Sequence, residues 1–102
     1  MSRKGEGTMY MAIRSYSGHG ASELFDALAE REEDVKALIS TVPGFASYEA
    51  FRNNGGGQTV TVCQDKTGTD ESSRRAAEWV KENIGVTVDP PTVTEGSTVL
   101  RF

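Results

Sequence analysis

The stretch TVPGFASYEAF, Thr41 to Phe51, limits what this chain can fold into more than any other. Pro43 cannot continue a helix and Pro-Gly is turn chemistry, so the helical periodicity ahead of it stops and a strand begins at once. Alternation along that strand places Phe45 and Phe51 on one face and Tyr48 on the other. A strand in a solvated antiparallel sheet carries one apolar and one polar face, so aromatics pointing both ways call for cover on both sides. Helices of the same chain supply one cover. A second copy of the chain is the expected source of the other.

The flanking patterns give the remaining elements. Met1 to Thr8 is polar and aperiodic and reads as a flexible extension, leaving 9–102 as one domain. Met9 to Tyr16 alternates as strand one, SGHG turns, and Ser22 with Glu23 and Asp26 behind it resembles a helix start. Leu24, Leu28, Val35, Leu38, Ile39 and Val42 then follow a helical period, predicting one long amphipathic helix. Strand two leaves Pro43-Gly44, turns through Asn53 to Gly57, and pairs antiparallel with strand three, Gln58 to Asp65. Thr69 is the expected cap of a second helix that includes Ala76, Ala77, Val80 and Ile84 and stops at Gly85. Val86 to Thr92, with Pro90 and Pro91, is extended connection, and TEGSTVLRF is strand four, bulged or broken at Gly96.

The order is βαββαβ, the split arrangement of α+β ferredoxin-like domains, with a four-stranded antiparallel sheet and two helices on one face. With Met9, Met11, Ile13, Val60 and Val62 turned to the helices, Tyr10, Ala12, Tyr16, Thr59, Thr61 and Cys63 would occupy the bare side. A bare apolar side marks an interface, and a homodimer joined sheet to sheet is its most economical cover.

Charge and composition exclude several partners. The net charge is −4 with Lys and Arg scattered, which gives no basic footprint for nucleic acid or an anionic membrane. No apolar run approaches the roughly 20 residues of a membrane span, and no signal-peptide core precedes the first strand, so a cytoplasmic location is expected. Cys63 and His19 are each the only residue of their type, which rules out an intrachain disulfide and a Cys- or His-rich metal site within one chain.

The phrases MYMAIRSY, VPGFASYEAF, the hairpin into TVTVCQD, and DESSRRAAEWVKENI, Asp70 to Ile84, resemble the dimeric α+β barrel proteins. The resemblance is strongest to the antibiotic biosynthesis monooxygenase (ABM)-like branch, and it spans nearly everything from Met9 to Phe102. It implies a dimeric α/β barrel with a pocket between sheet and helices. It also implies a small oxygenase acting without metal or flavin on polycyclic aromatic or quinol substrates, or a binding or stress-responsive relative without turnover. The haem-degrading branch is not expected: its pattern has an asparagine where this chain has Arg14 and Ser15, and a histidine on the second helix, where this chain has Trp79 but no histidine.

Among candidate site residues, His19 between Gly18 and Gly20 is a possible general base for deprotonating a phenol, or else an exposed turn residue. Arg14 and Tyr16 share a strand face and are placed to bind an oxyanion or phenolic oxygen, the alternatives being an ion pair and interface packing. Tyr48 on strand two faces a comparable choice, and Trp79 is a candidate wall for a flat ligand or else core or edge packing. Cys63, alone in mid-strand, reads as a small buried hydrophobe. GHGAS and GGG lack the spacing of phosphate loops, and EREED disperses its carboxylates around a helix, so no cofactor or metal is expected.

Overall fold

The computed structural model describes residues 8–102. Its elements are β1 (Tyr10–Ser17), α1 (Ala21–Glu30), α2 (Glu32–Ile39), β2 (Phe45–Asn53), β3 (Gly56–Cys63), α3 (Lys66–Asn83) and β4 (Thr92–Ser97). The four strands form one antiparallel sheet in the order β2-β3-β1-β4, and the helices pack on one side of it, as the ferredoxin-like reading requires. The polar extension expected at the N-terminus lies outside the described residues except for Thr8, which is exposed and precedes β1.

The expected long first helix is interrupted at Arg31, whose φ of −116° and ψ of 39° leave the helical region. Its N–H still donates to the Ala27 carbonyl and its carbonyl still accepts from Val35, so the interruption is a bend rather than a separation. Each half then aims its own apolar set at the sheet: Ala21, Leu24 and Phe25 from α1, Val35 and Ile39 from α2.

The two faces of the sheet are the reverse of those expected. Ala12, Arg14, Tyr16, Thr59, Thr61 and Cys63 are buried beneath the helices, while Met11, Ile13, Val60 and Val62 line the other side. The reason lies in α3, whose buried residues are Gly68, Thr69 and Ser72. A helix with small, hydroxyl-bearing side chains on its inner face sits close to the sheet and demands small or hydrogen-bonding partners below it. A Cβ on Gly68 would come within 2.1 Å of the Pro43 carbonyl oxygen and 2.7 Å of the Cys63 Cβ, which shows how close that approach is. Larger Met, Ile and Val side chains fit only on the opposite side.

β2 corrects a second expectation. Its register with β3 shifts between Phe45 and Ser47, so Ala46 is a bulge. Phe45 stands opposite Cys63 and Tyr48 opposite Thr61, which puts both aromatics on the helix side, and Phe51, opposite Gln58, is left on the open side. No such irregularity occurs at Gly96, which pairs in register with Met11. Strand four also starts earlier than expected and ends at Ser97, leaving Val99, Leu100 and Phe102 exposed.

Two helix starts move as well. α1 begins after Gly20, whose φ of 81° reserves the position for glycine, and not at Ser22. α3 begins at Lys66, where the Asp65 carboxylate accepts from the Thr67 N–H at 3.1 Å, a full turn before Thr69.

Candidate functional site around Arg14

Arg14 stands on the inner face of β1 with only 2% of its surface exposed. Its guanidinium is caged by hydroxyls: Nε donates to Ser73 Oγ at 3.1 Å, Nη1 to Thr59 Oγ1 at 3.1 Å and Thr61 Oγ1 at 3.2 Å, and Nη2 to Ser72 Oγ at 2.6 Å. Two strands and α3 therefore meet on one cation, and all four acceptors are neutral. Burial pulls the Arg14 pKa down, partly opposed by Tyr16, Tyr48, Cys63 and Glu95, yet a guanidinium starts so high that it stays charged.

The neighbouring phenols are shifted the other way. Burial raises the pKa of Tyr16 and of Tyr48, with Arg14 opposing in both cases and a hydrogen bond to Thr59 also opposing at Tyr48. Both are un-ionised at neutral pH, so neither is available as a base.

Three cavities surround this centre. A void of about 20 Å³ between sheet and helices is lined by Tyr16, Tyr48 and Trp79 among others and holds no organic molecule. On one side of it a groove of about 670 Å³ runs between α1, α2 and the free edge of β2, with Phe25, Phe45 and Tyr48 in its walls. On the other side a cleft of about 700 Å³ lies between β1, α3 and the extended segment 85–91, with Arg14, Tyr16, Ser73, Lys81 and Asp89 among its lining. The middle of the interior is thus filled, and the space for a ligand is at its flanks.

Four of the five expected site residues meet here. Arg14 and Tyr16 share the cleft, Tyr16 also reaches the central void, and Tyr48 and Trp79 line that void from β2 and α3. Trp79 packs on the core cluster of Tyr16, Ala21, Leu24 and Phe25. His19 is not among them. It is exposed, its N–H donates to Asp89 Oδ2 at 3.1 Å, its carbonyl accepts from the Asp89 N–H at 2.9 Å, and it lines none of the three cavities. Cys63 is fully buried, and burial pushes its thiol pKa up.

Sequence reasoning missed Thr59, Thr61, Ser72 and Ser73 as site residues. The available signal was two consecutive serines at the inner face of an amphipathic helix, where apolar residues belong, together with threonines alternating against valines on the facing strand. Hydroxyls at buried positions of two facing elements need a shared donor. Arg14 is that donor.

No protein-family model matches the chain, and no curated protein is similar to it. Solved structures are similar. The ActVA-Orf6 monooxygenase of Streptomyces coelicolor, solved in complex with nanaomycin D, superposes with a TM-score of 0.61 at 16% identity, covering 91% of this chain and 89% of that one. A protein provisionally described as an antibiotic biosynthesis monooxygenase from Bordetella bronchiseptica gives 0.64 at 20% identity, covering 90% and 98%. The chain has the ABM-like fold. MhuD of Mycobacterium tuberculosis, a haem degrader solved with two haems in its active site, shares it too, with a TM-score of 0.63 at 17% identity, covering 92% and 96%. One ABM-like fold therefore holds unlike chemistries, and the chemistry of this member has to be argued from its own side chains.

Proposed function

We propose that this protein is a cofactor-free monooxygenase of the ABM type, working in the cytoplasm on aromatic small molecules held in the cleft beside Arg14. The observation that carries the reading is a buried cation, hydrogen-bonded only to neutral hydroxyls, in the wall of a largely apolar cleft. Such a site favours the anionic form of a bound enol or phenol, and that anion is the species able to give an electron to oxygen. With an anthrone-like substrate, the anion passes one electron to O2, the two radicals join at carbon as a peroxide, and water leaves to form the carbonyl. One oxygen atom enters the product, the other departs as water with the two hydrogens of the CH2 group, and the substrate supplies every electron. Tyr16 donates a hydrogen bond in this scheme, Tyr48 and Trp79 back it from the central void, and His19, which lines none of the cavities, takes no part.

The test is oxygen consumption with anthrone-like and quinol substrates. We expect Arg14→Ala to lower the rate by about 10²-fold or more, as removal of one oxyanion-stabilising group does elsewhere, and His19→Ala to leave it unchanged. Equal loss in both variants would move the chemistry to the turn.

A second reading is favoured by the filled centre of the interior: a binding protein that holds an aromatic ligand in the cleft without turnover. Saturable binding with no oxygen uptake from any substrate would select it.

The partner under either reading is a second copy. Met11, Ile13, Val60 and Val62 form an apolar surface on the side of the sheet away from the helices, with Phe51 half-exposed beside them. Two such surfaces stacked about a two-fold axis close the barrel.

A further inference from the structure

The cleft beside Arg14 is supplied with positive charge and hydrogen-bond donors. The guanidinium has five N–H groups, and its four hydrogen bonds leave one on Nη2. Ser73 Oγ accepts from Nε and keeps its own hydrogen to give, and Tyr16 lines the same space. Other titratable groups face the same region from the neighbouring strands, from segment 85–91 and from α3. On β2 and β3, Tyr48 and Cys63 have pKa values raised by burial. On β4, Glu95 is engaged by Lys66 at 3.2 Å. In segment 85–91, Asp89 lines the cleft but gives its Oδ2 to the His19 N–H. From α3, Lys81 adds a second positive charge. The remaining wall is apolar, built by Ala77, Val80, Ile84, Val88, Pro91 and Val93.

A buried cation without a counter-ion is costly, and an anion brought to it offsets that cost. We propose that the cleft prefers apolar aromatic molecules that are already anionic at neutral pH, as carboxylates or as the anions of acidic enols, over their neutral counterparts. The negative oxygen lies against Ser73 Oγ, the Tyr16 hydroxyl and Arg14 Nη2, and the rings lie along Val80, Ile84 and Val93. The inference deepens the reading above by naming the ligand class, and it rests on that reading's cleft but not on turnover.

Calorimetric titration of the intact protein with four probes tests it: 2-naphthoate, 2-hydroxy-1,4-naphthoquinone, 2-naphthol and 2-naphthamide. At neutral pH the first two, both anions, should bind about tenfold or more tighter than the last two, which corresponds to at least one charge-assisted hydrogen bond. 2-Naphthol should gain affinity only as pH rises through its own pKa. Arg14→Met should erase the preference, and Ser73→Ala, which leaves the cage otherwise intact, should weaken naphthoate while leaving naphthamide unchanged. Should Arg14→Met fail to fold, the wild-type series and Ser73→Ala decide alone. Equal affinity for naphthoate and naphthamide, or no binding of naphthoate, overturns the inference. Tight naphthoate binding without oxygen uptake from any substrate upholds it and removes the monooxygenase reading instead.

Discussion

Single residues in this protein are set by distance of approach more than by propensity. Gly68 lies in the first turn of α3, where alanine is normally worth up to about 1 kcal/mol over glycine. Here the added Cβ would strike the Pro43 carbonyl and the Cys63 side chain, neither of which is the movable end of a flexible chain. Gly68→Ala should therefore destabilise by about 1–3 kcal/mol, against the propensity scale. Urea unfolding of the two proteins checks this, and a stabilised variant would show that α3 can lift away from the sheet. Gly57 is of the same kind, with the Phe25 ring 2.6 Å from where its Cβ would be, and Phe25 in turn meets Tyr16 edge to face. The glycine run that looks like turn chemistry in the sequence is, at Gly56 and Gly57, strand that has neighbours pressed against it.

At the scale of elements, α3 is held by charge along its outer side and by hydroxyls along its inner side. Glu71 accepts from Arg74 and Arg75, and Arg75 goes on to the Leu38 carbonyl at 2.8 Å and Thr41 Oγ1 at 2.7 Å, tying α3 to the end of α2. The hydrogen bonds from Arg74 and Arg75 hold the Glu71 pKa down from 4.5 to about 2. A carboxylate whose pKa is lower in the folded state adds stability that is fully present above its unfolded value and lost as pH falls through the folded one. The melting temperature of the wild type should therefore exceed that of Glu71→Gln above about pH 4.5, and the two should converge as pH falls toward 2. Thermal melts across that range test it, and curves parallel throughout would show that Glu71 contributes nothing by its charge. The same element carries the hydroxyls that hold Arg14, so its placement and the site's geometry are one structural fact.

At the scale of the whole molecule, a sheet covered on one side carries half-buried Met11, Ile13 and Val60 around the buried Val62 on the other, and an apolar tail of Val99, Leu100 and Phe102 projects from the β4 end. Apolar surface of that extent is uncommon on a monomer. Sedimentation at micromolar concentration should give a dimer for the wild type and a folded monomer for Ile13→Asp, since a charge in the middle of a dry sheet interface carries a large desolvation cost. A wild-type monomer would sink the closed barrel.

The linear chain by itself determined the order of strands and helices, the Pro43-Gly44 break, the hairpin after strand two, and the presence of an uncovered apolar sheet face, because each depends on local periodicity or turn chemistry. It also made Arg14, Tyr16, Tyr48 and Trp79 candidates for one site. What it could not determine was which face looks inward. That choice depends on how closely α3 approaches the sheet, through Gly68, Thr69 and Ser72, and on the bulge at Ala46, which changes the parity of β2. Both are contacts between segments far apart in sequence, so only the tertiary structure turned Arg14 from a strand residue of uncertain direction into a buried cation among hydroxyls.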